Sequence, residues 1–148
     1  MRIAVVYASK TGHSKKIAGA VADTLGVPCA DIRDKAAVGN TDLLFIAGGL
    51  YGGQSLPEML AFADGLEPGS IKQAVLLTSC ATKTARQETL RQHLEARGIP
   101  VAGEEFLCQG AFLLFGFGHP NRADLAAAAA FASRIVDERN RKEVPHAE

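Results

Sequence analysis

Apolar residues along this chain arrive in short blocks that follow two different rhythms. Ile3 to Tyr7 is a compact run with β-branched members that stops at a polar, glycine-containing turn. That is the form of a buried strand feeding a loop. Ile17, Ala20, Val21, Thr24 and Leu25 then recur at helical spacing, with Gly26 where a C-cap glycine belongs. Pro28 to Asp31 allows a brief second strand, and Asp34 to Asn40 reads as an irregular connection. Leu43 to Ala47 is another buried-type run, expected to break at Gly48-Gly49 and to open into a flexible loop through Tyr51, Gly52 and Gly53.

The second half repeats the scheme. Ser55-Leu56-Pro57-Glu58 has the Ser-x-x-Glu form of a capping box with proline in the first turn, which predicts a helix to about Leu66. Ala74 to Thr78 is the fourth strand. Thr84 to Gln87 repeats the capping logic ahead of Leu90 and Leu94, and Gly98 closes that helix before Pro100. Glu105 to Gln109 is the last strand. Asn121 and Asp124 are placed to cap a final helix whose inward face is Leu125, Ala128, Ala129, Ala132, Ile135 and Val136, with a charged tail expected from about residue 138. Ala126 to Ala130 is then a helix face allowing close approach to a sheet, not low complexity.

Strands alternating with helices along the whole length predict an α/β fold, a parallel sheet with helices on both faces, in a single domain spanning 1–148. With 47% hydrophobic residues but only 6% aromatic and no tryptophan, its core must be built from aliphatic side chains and alanine. Basic and acidic residues both number 16, so no overall field recruits nucleic acid or an anionic membrane. No run approaches the ~20 apolar residues of a membrane span, and the N-terminal run is too short for a signal peptide, so a cytoplasmic location is expected. The three cysteines and four histidines are dispersed without disulfide or metal-ligand spacing.

Ser9-Lys10-Thr11-Gly12-His13-Ser14 is where chemistry concentrates. It lies between a buried strand and a helix N-terminus, whose unpaired N–H groups and dipole favour an anion, phosphate above all. Ser9, Thr11 and Ser14 add hydroxyl donors, and Gly12 permits close backbone approach. The plainer alternative is a cap and turn without a ligand. Against it, the glycine-rich segment after the third strand would sit beside this loop at the carboxyl edge of the sheet, where doubly wound folds bind ligands. No Gly-x-Gly-x-x-Gly or Gly-x-x-x-x-Gly-Lys-Ser/Thr is present, and glycine stands where a receiver domain needs an acidic residue at the end of strand three.

These segments resemble the flavodoxin family: Ser9-x-Thr11-Gly12-x-Ser14 is similar to its phosphate-binding pattern, joined by Gly48 to Gly53 after strand three and by Thr78-Ser79-Cys80-Ala81 after strand four. The resemblance implies a doubly wound, five-stranded parallel sheet in the order 2-1-3-4-5, a three-layer sandwich with FMN at the switch point between strands one and three. It implies that Ser9, Lys10, Thr11, Gly12, His13 and Ser14 wrap the phosphate. Gly48, Gly49, Leu50, Tyr51, Gly52 and Gly53 would pack on one face of the isoalloxazine, and Ser79, Cys80, Ala81, Thr82 and Lys83 would border its pyrimidine side, with Thr78 also among the cofactor-binding residues. Tyr51, the one aromatic in these loops, is expected to stack on or edge the ring, the alternative being a tyrosine without a ligand. A peptide at Gly48, Gly49, Gly52 or Gly53 would reorient when flavin N5 gains a proton.

The function implied is electron transfer with redox partner proteins. Flavodoxins are typically strongly acidic, however, whereas this chain is neutral and carries Lys10, Lys15, Lys16 and His13 around the loop. A couple less negative than in acidic relatives is expected. The departure favours as an alternative an FMN-dependent reductase taking hydride from NAD(P)H to a quinone-like small acceptor. A flavodoxin-fold binding module without flavin is a third reading. Cys80 reads as either a redox neighbour of the ring or a packing residue, more commonly the latter. Cys29 and Cys108 read as core, and Phe112, Phe115 and Phe117 as packing beneath the last helix, with a cover over the flavin or a partner surface as the alternatives.

Overall fold

A computed structural model describes residues 1–10, 12–34, 38–51, 53–80, 86–109 and 121–143. In chain order the elements are β1 (Ile3–Tyr7), α1 (His13–Leu25), β2 (Cys29–Asp31), β3 (Thr41–Tyr51), β4 (Gln54–Ser55), α2 (Pro57–Asp64), β5 (Ile71–Cys80), α3 (Glu88–Ala96), β6 (Phe106–Gln109) and α4 (Arg122–Glu143). The sheet runs β2-β1-β3-β5-β6, with β4 hairpinned on β3. Every neighbouring pair along that path is parallel. Leaving out the two-residue β4, this is the expected 2-1-3-4-5 order, whose chain reversal puts β1 and β3 side by side at the centre.

Strand alternation divides the interior in two. Val5, Leu43, Phe45, Ala47, Val75 and Leu77 pack with Ile17, Val21, Ala128 and Ala132 on the α1/α4 face. Val6, Leu44, Ile46, Ala74 and Leu76 pack with Met59, Leu90 and Leu94 on the α2/α3 face. β3 and β5, at the middle of the sheet, are buried on both sides, which is why they read as continuous apolar runs. The alanines of α4 let its backbone approach the sheet closely, and Ala128 and Ala132 are fully buried.

Helix α1 ends as expected, with Gly26 in the left-handed region at φ 69° and Val27 N–H donating to the Ala22 carbonyl at 3.0 Å. At α4, Asn121 and Asp124 form a reciprocal box: Asp124 N–H donates to Asn121 Oδ1 at 2.9 Å and Asn121 N–H to Asp124 Oδ2 at 2.8 Å.

Four expectations need correction. Gly48-Gly49 does not break the third strand, which continues to Tyr51 because Gly48 and Gly49 stay in register with Thr78 and Ser79 of β5. Thr78, Ser79 and Cys80 accordingly belong to β5 and not to a loop after it. Ser55 does not cap α2: the cap position is Leu56, and Ser55 is drawn into the hairpin opposite Leu50, its hydroxyl donating to Gln87 Oε1 at 3.0 Å. The charged residues after 137 are no separate tail, since α4 runs through them to Glu143. The capping role expected of Thr84 and the packing of Phe112, Phe115 and Phe117 fall outside the described residues, while α3 itself begins at Glu88 with Gln87 before it.

Candidate functional site

The carboxyl ends of β1 and β3 meet where the sheet order reverses, and the loop after β1 opens there. Its turn is fixed from within: Gly12 N–H donates to Ser9 Oγ at 2.8 Å, which leaves the Ser9 proton available to a further acceptor. Gly12 adopts φ +88°, a conformation that side-chain-bearing residues avoid, and directs the chain into α1 as its N-cap. No side chain caps α1 and its first turn holds no acidic residue, so its positive end is not neutralised by the described residues.

Ser14 lies in that first turn. It is 1% exposed, and its Oγ has no hydrogen-bond partner among the described residues. A buried hydroxyl without a partner costs free energy, and this one lies beside an uncapped helix terminus. His13, next to it, has its pKa lowered by burial and secondarily by Lys16. It is therefore neutral near pH 7, which corrects its placement among the cations of the loop; Lys10, Lys15 and Lys16 remain exposed there.

Tyr51, at the end of β3, reaches across to the loop after β1. Its hydroxyl accepts from Lys10 N–H at 3.3 Å, and Lys10 Nζ lies 5.3 Å from the ring centroid. The ring tip covers Gly49 so closely that a Cβ there would fall 2.9 Å from ring atoms. A side chain at position 49 would therefore displace the Tyr51 ring from this position. Gly48 is crowded from another direction: a Cβ would lie 3.1 Å from Met59 Cε and 3.4 Å from the Gln87 carboxamide, so these side chains would have to give by a few tenths of an ångström. Gly53, at φ +79°, turns the hairpin that returns the chain to Gln54.

The third candidate segment is divided. Thr78 is fully buried and Ser79 is 5% exposed, both paired within the sheet. The Thr78 hydroxyl donates to Glu105 Oε2 at 2.5 Å, so that side chain is turned to the interior rather than bordering a ligand. Thr11, Gly52, Ala81, Thr82 and Lys83 lie outside the described residues, as does the Cys80 side chain. Cys108 is buried and Cys29 half-buried with its thiol pKa pushed up by burial, consistent with packing roles. Among the described residues no group of three or more His, Cys, Asp or Glu is placed to hold a metal, and no helix is long and apolar enough to cross a membrane.

Glu105, Gln87 and Arg91 were not legible as part of this region. The Glu105 side chain is fully buried and receives Thr78, Gln87 N–H and the Arg91 guanidinium. Its only sequence signal is a carboxylate at the head of an apolar strand.

A doubly wound α/β fold with an uncapped strand–loop–helix turn at its switch point is thus defined. Residues 4–114 match the sequence profile of the flavodoxin domain, and the chain belongs to that family. Among solved structures, a short-chain flavodoxin associated with a non-canonical PDU bacterial microcompartment is 22% identical, with TM-score 0.64 over 93% of this chain and 99% of that one. Oxidised flavodoxin 2 from Bacillus cereus is 18% identical, with TM-score 0.66 over 93% and 99%. The NAD(P)H:quinone oxidoreductase from Methanothermobacter marburgensis is 14% identical, with TM-score 0.65 over 100% and 98%. At these identities the likeness establishes the fold. Among curated proteins, none matches in sequence.

Proposed function

We propose that this chain binds FMN at the loop following β1 and serves as an electron-transfer protein of the flavodoxin type. One observation carries the reading: the Ser14 hydroxyl, buried and without a partner among the described residues, at the uncapped N-terminus of α1. A phosphate supplies the acceptor that this hydroxyl lacks and the negative charge that the helix end favours. Family membership and the redox proteins among the structural neighbours support the same assignment.

In this reading Ser14 Oγ and the α1 first-turn N–H groups hold the phosphate. Ser9 keeps the turn closed and offers its remaining proton, while Thr11 adds the third hydroxyl. The β3–β4 hairpin, residues 48–53, lies along the isoalloxazine, and Tyr51 edges or stacks on it. Ser79 to Lys83 border the pyrimidine side. The bound flavin supplies the one- and two-electron chemistry.

Visible absorption of the purified protein, with heat release of any chromophore and comparison against FMN, FAD and riboflavin, tests the assignment. Flavin bands near roughly 370 and 450 nm with FMN released support it. A colourless protein that also fails to take up added FMN overturns it in favour of a binding module without flavin. The basic residues Lys10, Lys15 and Lys16 around an uncapped helix end favour one second reading, an FMN-dependent NAD(P)H reductase acting on a small acceptor. Rapid bleaching of the bound flavin by NADH or NADPH in stopped flow selects that reading, and inertness selects the carrier.

A further inference from the structure

Beneath the β3–β4 hairpin runs a chain of side-chain hydrogen bonds whose donors all point one way. Ser55 Oγ donates to Gln87 Oε1 at 3.0 Å, Gln87 Nε2 donates to Thr78 Oγ1 at 3.0 Å, and Thr78 Oγ1 donates to Glu105 Oε2. Gln87 N–H also donates to Glu105 Oε2, at 2.9 Å, and Arg91 Nη2 to Glu105 Oε1 at 3.2 Å. Arg86 Nε adds an ion pair at 3.5 Å. Ser55, Thr78, Gln87 and the Glu105 side chain are all buried, so each bond forms where water cannot replace it.

The position of Glu105 comes from an irregularity at the sheet edge. Ala74 pairs with Val101 and Leu77 with Phe106, so the edge segment spends two more residues than β5 between these partners. The extra length lets Glu105 turn inward. At the other end of the relay, Ser55 sits opposite Leu50, and the Gln87 carboxamide fills the space that Gly48 leaves open. The relay therefore joins the edge strand, the start of α3 and the hairpin into one unit.

We propose that Glu105 is a positioning residue of the ligand site, fixing the β3–β4 hairpin through Thr78, Gln87 and Ser55 without touching the ligand itself. Where it concerns FMN, this rests on the function proposed above. An apolar residue at position 105 would leave Arg91 without its carboxylate and the Thr78 and Gln87 donors without an acceptor.

Amide hydrogen exchange of the flavin-free full chain tests the coupling, alongside FMN titration by fluorescence quenching. Glu105→Gln is expected to raise exchange in residues 53–56 roughly tenfold, the effect of losing about one buried hydrogen bond, with residues 17–22 of α1 unchanged. Its FMN dissociation constant is expected to rise by a similar factor. Ser55→Ala should raise exchange in the wild-type background but add nothing to Glu105→Gln, although the two residues do not touch. This non-additivity separates a relay from independent packing effects. Unchanged hairpin exchange in Glu105→Gln, or single effects that simply multiply, overturns the proposal. If Glu105→Gln does not fold, Thr78→Val cuts the relay at its centre, leaves Glu105 with Arg91, and is judged by the same criteria. A wild-type chain that binds no FMN refutes the functional reading, while the exchange cycle still decides the coupling.

Discussion

Replacing Ser14 with alanine separates a ligand-binding role from a packing role, because the two require opposite changes in stability. Ser14 is 1% exposed and its Oγ lacks a partner among the described residues, which sets the desolvation cost of that hydroxyl in the ligand-free protein at about 1–3 kcal/mol. Alanine deletes only the oxygen and suits the helix better. A net gain of about 1 kcal/mol would raise the melting temperature of a chain this size by about 3 °C. Binding should move the other way. Loss of a hydrogen bond to a charged acceptor is worth about 1.5–3 kcal/mol, roughly a 10- to 150-fold rise in the FMN dissociation constant.

Calorimetry of flavin-stripped protein and fluorescence titration with FMN read the two effects separately. Riboflavin is the internal control: it has no phosphate, so Ser14→Ala should bind it as wild type does. At saturating FMN the order of melting temperatures should narrow or reverse, because the tighter binder gains more from ligand. A stripped Ser14→Ala protein less stable than wild type, or one that binds FMN with undiminished affinity, would refute the reasoning.

Three further outcomes follow from the geometry. Gly48→Ala places a methyl 3.1 Å from Met59 Cε and 3.4 Å from the Gln87 carboxamide, so urea unfolding should show a loss of about 1–3 kcal/mol; unaltered stability would mean that both neighbours yield freely. His13 has a folded pKa below its ordinary value near 6.5, so the unfolded chain binds the proton more readily. Wild type should therefore lose stability relative to His13→Gln as pH falls below about 6.5 through the folded pKa, and parallel urea midpoints from pH 8 to 5 would contradict this. Asp31, whose pKa is lowered first by its Arg33 hydrogen bond, contributes stability above its unfolded value near 3.9 that disappears as pH falls through the lower folded value. Arg33→Gln should accordingly be less stable than wild type at neutral pH and converge with it in strong acid, a gap that persists in acid being the contrary result.

What could be read from the sequence was what local spacing decides. The reciprocal cap of α4 joins residues three apart, and Asn121 and Asp124 find each other because the first helical turn brings them together. The same logic failed at Ser55, where a partner 32 residues away competes successfully for the hydroxyl. Gly48-Gly49 was misread for a related reason. Glycine weakens an isolated strand, but a central strand with register partners on β5 continues through it when neighbouring side chains occupy the vacated space. The loop after β1 was legible because its donors lie within six residues, whereas the Glu105 relay depends on pairing between segments far apart in the chain.

Alternation along β3 also accounts for the asymmetry of the site. Leu44 and Ile46 face α2 and α3, Phe45 and Ala47 face α1 and α4, and both series then reach glycine, at Gly48 and Gly49. The space left at Gly48 is closed by Met59 and by Gln87, which is locked into the buried relay to Glu105. The space at Gly49 is covered by the Tyr51 ring, whose hydroxyl is held by a single 3.3 Å bond from the Lys10 backbone. An anion approaching Ser14 competes for that same stretch of loop, and Lys10 N–H is a donor that it can take over. Moving Gln87 would strand several buried polar groups, whereas moving Tyr51 gives up the exposed Lys10 backbone bond, the Lys10 Nζ contact with its ring and part of the ring's packing on the α2/α3 core. In the function proposed above, adaptation to the ligand would fall to Tyr51, with the relay as the fixed side against which it moves.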